Sequence, residues 1–320
     1  GGRRSYTLDQ INELRVVLEE GSKGKRYLPH RRSGEHCQVM AVVNFKGGSG
    51  KTTTAAHLAQ YLALKGYRVL AVDLDPQASL TALHGYQPEY DIQPNQTVYA
   101  AVRYDEDRRP LRDVIRKTYF PGLDLIPGNL ELMEYEHDTP RALAEHDSEP
   151  FFGRLATALG TVASDYDVMI LDCPPQLGFL TLGALCAATG LLITVHPQML
   201  DVMSMCQFLL MAADILRVVQ TSGGDLEYDF IRYVVTRFEP ADAPQTQMVA
   251  FMRSLFRDRV LNSTMVKSTA ISDAGLSKQT LYEIGRENFS KQTYDRAMES
   301  LDAVNDEIDR LMQQAWGRAT

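Results

Sequence analysis

The chain has 320 residues, and 44% of them are hydrophobic, a proportion typical of a protein with a sizeable folded core. Acidic residues outnumber basic residues 41 to 33, so the formal net charge is −8. This balance excludes a general electrostatic attraction to nucleic acid or anionic lipid, and any such binding must use a local basic patch.

The cysteine pattern and the apolar runs indicate the compartment. The longest apolar stretch, Leu182–Val195, is interrupted by Gly190 and is shorter than the roughly 18 residues that a membrane-spanning helix needs. No secretory signal is recognisable, and the chain opens at Gly1 without a methionine, as a chain trimmed from a longer protein would. Four widely spaced cysteines argue against a zinc site, an iron–sulfur site or a disulfide framework and fit a reducing cytoplasm: Cys37, Cys173, Cys186 and Cys206.

Residues 1–36 form a basic segment that differs from the rest of the chain. Thr7 is a candidate N-cap for a helix with apolar residues at spacings of three and four, which Gly21 ends. A glycine-broken loop, Gly21–Pro29, follows. Both a solvated helix with its linker and part of a DNA-binding module fit this pattern. The basic residues of the segment are Arg3, Arg4, Arg15, Lys23, Lys25, Arg26, Arg31 and Arg32.

Residues 37–320 alternate between short apolar runs and longer helical periodicities. This alternation predicts a single α/β domain with a doubly wound, mostly parallel sheet. Strands are predicted at Val39–Phe45, Arg68–Asp73, Leu123–Ile126, Asp167–Asp172, Leu191–His196 and Ile231–Thr236. Helices are predicted at Lys51–Lys65, Phe151–Ala163, Thr181–Ala188, Val202–Val219, Thr246–Arg257 and Lys291–Trp316.

A glycine-rich loop lies between the first predicted strand and its helix, which is the context that a phosphate-binding P-loop requires. It reads Lys46-Gly47-Gly48-Ser49-Gly50-Lys51-Thr52-Thr53. Its backbone N–H groups would bind the phosphates of ATP, while Lys51 supplies positive charge and Thr52 a hydroxyl ligand for Mg²⁺. Phe45 occupies the position of the first glycine of the common motif. The second lysine, Lys46, has no role that the motif alone explains.

Aspartates end two further predicted strands. Asp73 and Asp75 follow one of them, and Asp172 ends the other. Because the carboxyl ends of parallel strands form the ligand-binding edge of an open α/β sheet, we expect these carboxylates beside the P-loop. An aspartate after an apolar strand is the Walker-B arrangement, which reaches Mg²⁺ through its water shell, and another carboxylate can orient the attacking water. A solvated Asp-Pro turn is the plain alternative for Asp75.

Cys173 and the histidines are candidates for a redox or metal centre. No second cysteine or ligand cluster lies near Cys173 in the sequence. His84, His137 and His196 have no paired spacing, so we expect them to be ordinary surface or core histidines.

Three ordered motifs together resemble the ParA/MinD class of deviant Walker ATPases. They are Lys46–Thr53, Asp73–Gln77 and Leu171–Pro175. Within this class the chain resembles most the RepA group, the ParA-type partition proteins of repABC plasmids, over essentially its whole length. Further matching runs are Gln77–Leu80, Pro127–Leu132, His196–Asp201, Met265–Ala274 and Gln279–Glu283.

The resemblance implies a plasmid partition ATPase that hydrolyses ATP slowly. Lys46 resembles the signature lysine that reaches the partner's phosphates in an ATP-sandwiched homodimer. Asp75 resembles the residue that orients the hydrolytic water, Asp73 is expected nearer the Mg²⁺ shell, and Asp172 resembles the Walker-B acid. The class also implies that the ATP-bound dimer binds double-stranded DNA of the nucleoid without sequence preference. A ParB-type centromere-binding protein would stimulate hydrolysis.

The same resemblance assigns residues 1–36 to the remnant of a winged-helix module for operator binding and autorepression, because one helix cannot form a helix-turn-helix. Arg237 and Pro240 are candidates for the adenine pocket by their position after the last predicted strand. For non-specific DNA binding we predict basic residues late in the chain, with scattered solvated side chains as the alternative. These residues are Arg253, Arg257, Arg259, Lys267 and Lys278.

A MinD-like membrane-associated positioning ATPase is the main alternative function, and its members end in a basic amphipathic helix that lies in the membrane interface. The corresponding end of this chain, Arg296–Arg318, is acidic, with five carboxylates and three arginines. We therefore expect no membrane partner. A metal-handling or reductase relative would need paired cysteines, which the sequence does not have.

Overall fold

The computed structural model describes residues 5–22, 24–145, 150–223 and 226–319. Strands of these residues form one seven-stranded sheet. They are β1 (Gln38–Val43), β2 (Val69–Asp73), β3 (Arg116–Lys117), β4 (Leu123–Ile126), β5 (Val168–Asp172), β6 (Gly190–Val195) and β7 (Phe230–Val235). Their order across the sheet is β3-β4-β2-β5-β1-β6-β7, and all neighbours are parallel except β3 and β4.

All six predicted strands are confirmed, each end lying within two residues of its predicted place. They could be recognised because both faces of the sheet are covered, so central strands such as β1 are buried at every position. The sequence did not predict β3, since its two polar residues form only a short antiparallel pair with β4. The doubly wound, mostly parallel fold is confirmed.

Helices cover both faces of the sheet. The described helices are α1 (Leu8–Gly21), α2 (Lys51–Lys65), α3 (Ser79–Leu83), α4 (Pro88–Asp91), α5 (Tyr99–Val102), α6 (Leu132–Ala144), α7 (Phe151–Gly160), α8 (Phe179–Ala187), α9 (Met199–Thr221), α10 (Ala243–Phe256), α11 (Thr269–Leu276) and α12 (Lys291–Ala315). Buried residues of α2 and α12 pack on one face, and those of α7 to α10 pack on the other.

The predicted helices are confirmed with end shifts of at most three residues, and Thr7 caps α1 through its side chain as expected. Sequence periodicity missed α6, which contains Pro140, and the short helices α3, α4, α5 and α11. Helices of one or two turns present too few residues for a clear apolar stripe, and an internal proline usually indicates a helix end.

Among the described residues, α9 is the one helix that is long and apolar enough to cross a membrane by length and composition. Core helices of soluble proteins can have the same length and composition. One face of α9 packs in the core through Val202, Met205 and Phe208. The apolar stretch Leu182–Val195 that was considered in the sequence divides between α8 and β6.

The N-terminal segment lies against the domain. The Arg15 guanidinium donates to the Leu64 carbonyl at 2.8 Å, and the Arg31 backbone N–H donates to the buried Asp167 carboxylate at 2.9 Å. At the other end of the chain, Arg318 pairs with Glu35 at 2.6 Å. Arg3, Arg4 and Lys23 lie outside the described residues. The domain boundary at residue 36 stays a prediction.

Candidate nucleotide-binding site

The P-loop leaves β1 and enters α2 with its backbone open to the cavity beside it. Gly48 and Gly50 have φ values of 76° and 87°, a conformation that favours glycine. The buried Ser49 between them holds the loop in place, because its hydroxyl lies 3.0 Å from the Thr194 hydroxyl and its carbonyl accepts from the Thr236 hydroxyl at 2.7 Å. The ends of β6 and β7 therefore fix the loop.

Lys51 starts α2 and is buried, with 6% of its surface exposed. Its Nζ donates to the Lys46 carbonyl at 3.3 Å, so the ammonium group lies inside the loop. Burial lowers the pKa of Lys51, while the nearby Asp172 opposes that shift. A cation held at a helix N-terminus beside a glycine-rich loop is suited to bind a phosphate group.

A cavity of about 510 Å³ opens in front of this loop, large enough for a nucleotide. Arg237, a predicted adenine-pocket residue, lines it and donates to the Gly48 carbonyl at 3.1 Å. Pro240 is not among the described residues that line it. Sequence reasoning assigned no role to other residues of the lining, which include Met265, Val266, Ser268, Ile271 and Ser272.

Asp73 and Asp172 lie side by side in the register of β2 and β5, and both are fully buried. The Thr81 backbone N–H and hydroxyl donate to one oxygen of Asp73 at 2.8 and 2.6 Å. Burial nevertheless raises the pKa of Asp73 to about 7. Burial and the neighbouring Asp73 also raise the pKa of Asp172 well above its ordinary value. The predicted meeting of these strand ends is confirmed.

The surroundings of the Asp172 carboxylate show whether the site fits Mg²⁺. Neither of its oxygens has a hydrogen-bond partner of good geometry among the described residues, although Thr52 is close enough to favour its charged form. Two unpartnered, buried carboxylate oxygens beside a hydroxyl and a carboxylate are the ligands that Mg²⁺ prefers. The residues Thr52, Asp73 and Asp172 therefore fit the predicted metal.

Asp75 lies at the cavity wall and is only partly buried. Its carboxylate accepts from the Gln77 backbone N–H at 2.9 Å, while its own N–H donates to Asp73 at 3.2 Å. These two bonds form a tight turn that directs Asp75 to the solvent-accessible side of the site. The carboxylate can thus contact a water molecule next to a bound phosphate.

Comparisons with known proteins agree with this geometry. The AAA_31 family, described as an AAA domain, matches residues 37–222. "Putative replication protein A" of Rhizobium rhizogenes is 58% identical over 100% of this chain and 80% of its own length. The chromosome partitioning protein ParA of Myxococcus xanthus is 31% identical over 74% of this chain and 77% of its own. The chain belongs to the ParA/MinD class of partition ATPases.

Solved structures add a likeness in fold. Cobyrinic acid a,c-diamide synthase of Mycobacterium smegmatis, bound to an ATP analogue and magnesium, superposes with a TM-score of 0.68. It is 24% identical, and the match covers 88% of this chain and 97% of that one.

In this ParA/MinD-class ATPase, Lys46 lies at the outer side of the P-loop. Its ammonium forms an ion pair with Asp201 in the first turn of α9. The side chain of Lys46 is 47% exposed, whereas that of Asp201 is 6% exposed and also lies 3.2 Å from His196 Nδ1. Sequence reasoning included Asp201 in a run that resembles the class but assigned it no role.

The late basic residues of this partition ATPase are all exposed, but they do not share one setting. Arg253 donates to the Asn262 carbonyl at 2.7 Å near the end of α10. Lys267 instead lines the nucleotide cavity and pairs with Glu239 at 2.9 Å. Arg257 and Arg259 lie in the turn after α10, and Lys278 follows α11. Their role in DNA binding stays a prediction.

Cys173, His84 and His137 have ordinary surroundings, whereas His196 contacts Asp201 beside Lys46. Cys173 is fully buried, which raises the pKa of its thiol. His84 is buried and His137 is exposed, as core and surface histidines are. Within the part of the chain that the structure describes, no group of three or more His, Cys, Asp or Glu residues could hold a metal.

Proposed function

We propose that this chain is a plasmid partition ATPase that forms an ATP-dependent sandwich dimer. The observation that carries the proposal is the placement of two lysines on one P-loop. Lys51 is buried where it serves the protomer's own nucleotide, while Lys46 is half exposed on the outer side. A second, half-exposed cation there is not needed for the protomer's own nucleotide, but it can reach a phosphate of a facing copy.

Each residue of the site is assigned a role in ATP hydrolysis. The loop N–H groups and Lys51 bind the β- and γ-phosphates, and Lys46 of the facing copy adds charge where negative charge develops in the transition state. Asp75 orients the attacking water. Thr52, Asp73 and Asp172 would hold Mg²⁺, which neutralises phosphate charge when bound.

The dimer is proposed to bind double-stranded DNA without sequence preference and to release it after hydrolysis. A ParB-type centromere-binding protein would stimulate that otherwise slow step. Residues 1–36 are proposed to belong to a module that represses the operon. These steps rest on the partition class and on the relative named ParA.

The MinD-like alternative requires a C-terminal helix that is free to lie on a membrane. Here α12 packs on the sheet through Leu301, Val304, Ile308 and Met312, all fully buried. The apolar face of α12 is therefore buried in the core and is not available to a membrane. This favours a cytoplasmic, DNA-associated protein over a membrane-associated one.

The proposal is tested by retention on duplex DNA of arbitrary sequence. We expect dimers and salt-sensitive retention with ATP and Mg²⁺, and neither with ADP or without nucleotide. Equal retention in all three conditions would count against the proposal. The ATPase rate is then measured with DNA alone and with DNA plus the cognate centromere-binding protein, which should raise it.

A further inference from the structure

A second cleft, of about 430 Å³, lies away from the nucleotide cavity. Its lining includes four Arg or Lys residues and His30, and none of the described residues that line it is Asp or Glu. This is a locally positive site in a chain with a net charge of −8. The cationic residues are Arg26, Arg32, Lys65 and Arg318.

Three distant parts of the chain build this basic cleft. The loop before β1 supplies Arg26 to Arg32, the end of α2 supplies Lys65, and the end of the chain after α12 supplies Arg318. Arg318 fixes the loop by donating to the Pro29 and His30 carbonyls at 3.0 and 2.9 Å. These hydrogen bonds fix the backbone of the loop that forms one side of the cleft.

The cations of the cleft differ in how they are paired. Lys65 pairs with Asp306 at 3.1 Å, and Arg318 pairs with Glu35. Arg26 and Arg32 are exposed, and their guanidinium groups have no hydrogen bond or ion pair among the residues that the structure describes. Arg26 interacts electrostatically with Glu19, and Arg32 with Glu35. Neither guanidinium is hydrogen-bonded or ion-paired among the described residues, so both are available to bind an anion in the cleft.

We propose that this basic cleft binds the phosphate backbone of duplex DNA, with Arg26 and Arg32 as the phosphate contacts. The inference rests on the proposed function and names a site for its DNA. Guanidinium forks bind phosphate oxygens in two-point fashion and carry no sequence information, as non-specific binding requires. DNA fits better than a lipid surface because no residue of the lining is a large exposed apolar side chain.

The basic cleft and the P-loop lie at opposite edges of the sheet. Lys65 and Tyr67 precede β2, and His30 precedes β1, so the cleft lies at the amino edge of the parallel strands. The P-loop lies at the carboxyl edge, after β1. DNA and ATP can therefore be bound at the same time without competing for one surface.

The test is the charge-reversed double variant Arg26→Glu/Arg32→Glu, assayed with ATP and Mg²⁺ on arbitrary duplex DNA. We expect at least a ten-fold weaker affinity and a slope of log affinity against log salt that is smaller by about 2, since each phosphate contact contributes roughly 0.9. Arg26→Lys/Arg32→Lys should keep most of the binding. Arg217→Glu, an exposed arginine on α9, is the control and should change little.

The possible results distinguish a failure of the cleft inference from a failure of the proposed function. If the wild-type protein shows no ATP-dependent DNA binding, the proposed function itself fails. If it binds and the double variant binds equally well while Arg253→Glu/Arg257→Glu weakens binding, the cleft inference is overturned in favour of the late basic residues. The cleft inference is also overturned if the double variant loses binding to phosphatidylglycerol vesicles while its DNA binding is unchanged. Unchanged ATPase activity without DNA shows that the double variant is folded.

Discussion

Lys46 and Asp201 form an ion pair that joins the P-loop to the first turn of α9. The stacking of Phe45 on Phe208, with ring centroids 6.2 Å apart, adds a second contact between the same two elements. To reach the phosphates of another copy, Lys46 must leave Asp201. Because Lys46 is half exposed, the pair contributes about 1 kcal/mol or less, an amount that dimer formation can offset.

Asp201→Asn is therefore expected to favour the ATP-dependent dimer. Removing the carboxylate charge frees Lys46 in both protomers, and about 1 kcal/mol for each of the two ion pairs corresponds to a dimer stronger by up to roughly 30-fold. Sedimentation equilibrium with ATP and Mg²⁺ measures this constant. Asp214→Asn, on the same helix but paired with Arg217, serves as the control. A weaker dimer in Asp201→Asn would mean that Asp201 holds Lys46 in its working position.

Lys51→Ala and Asp75→Ala are expected to separate binding from turnover. Loss of the buried ammonium at the loop should abolish nucleotide binding, which a fluorescent ATP analogue reports. Asp75→Ala should keep ATP and the dimer while the hydrolysis rate falls by about 100-fold or more, because only the orientation of water is lost. Hydrolysis at the normal rate in Asp75→Ala would refute that role.

The buried pair Asp73 and Asp172 predicts a pH dependence of the nucleotide-free protein. In the folded state the pKa of Asp73 is raised from 3.8 to about 7, and that of Asp172 is raised as well. Between these values the folded protein keeps protons that the unfolded chain has released, so the free energy of unfolding falls as pH rises. We expect the melting temperature without Mg²⁺ to decrease by several degrees from pH 5 to pH 8.

The variant Asp172→Asn isolates this effect from other titrating groups. Asparagine does not titrate, so one of the two buried carboxyl groups with a raised pKa is removed, and the decrease between pH 5 and pH 8 should become smaller. Mg²⁺ with ATP should also reduce it in the wild-type protein, because the metal favours the ionised carboxylates. An identical decrease in wild type and variant would show that other groups cause the pH dependence.

Much of the site could be predicted because its signals are local. The P-loop lies within eight consecutive residues, and Asp73 and Asp172 each end an apolar strand that both faces of the sheet bury. Parallel packing then places these strand ends together without further information. The six long strands and the long helices follow from the same local periodicity.

The remaining parts depend on contacts between distant residues. Lys46 and Asp201 are 155 positions apart, and the lysine alone indicates no partner. The cavity wall from Met265 to Ser272 runs from a loop into the short helix α11 and mixes apolar with polar residues, so no periodicity marks it. Arg318 meets Glu35 across 283 positions, so the basic cleft has no signature in any one segment. Such pairs are decided by tertiary packing, which periodicity does not report.

Gly128 packs closely against the turn Asp73–Asp75 of the candidate site. A Cβ atom added there would lie 3.0 Å from both the Asp73 Cγ and the Asp75 carbonyl oxygen, and neither the backbone nor the buried carboxylate can move freely. Gly128→Ala should therefore cost about 1–3 kcal/mol of unfolding free energy and displace Asp75, which lowers the ATPase rate. Gly153→Ala is the matched control, because its Cβ would meet nothing within 4 Å and alanine favours the helix α7 by up to about 1 kcal/mol. Urea unfolding and ATPase rates of both variants measure the contrast, and a Gly128→Ala protein as stable and active as Gly153→Ala would show that the Asp73–Asp75 turn can yield.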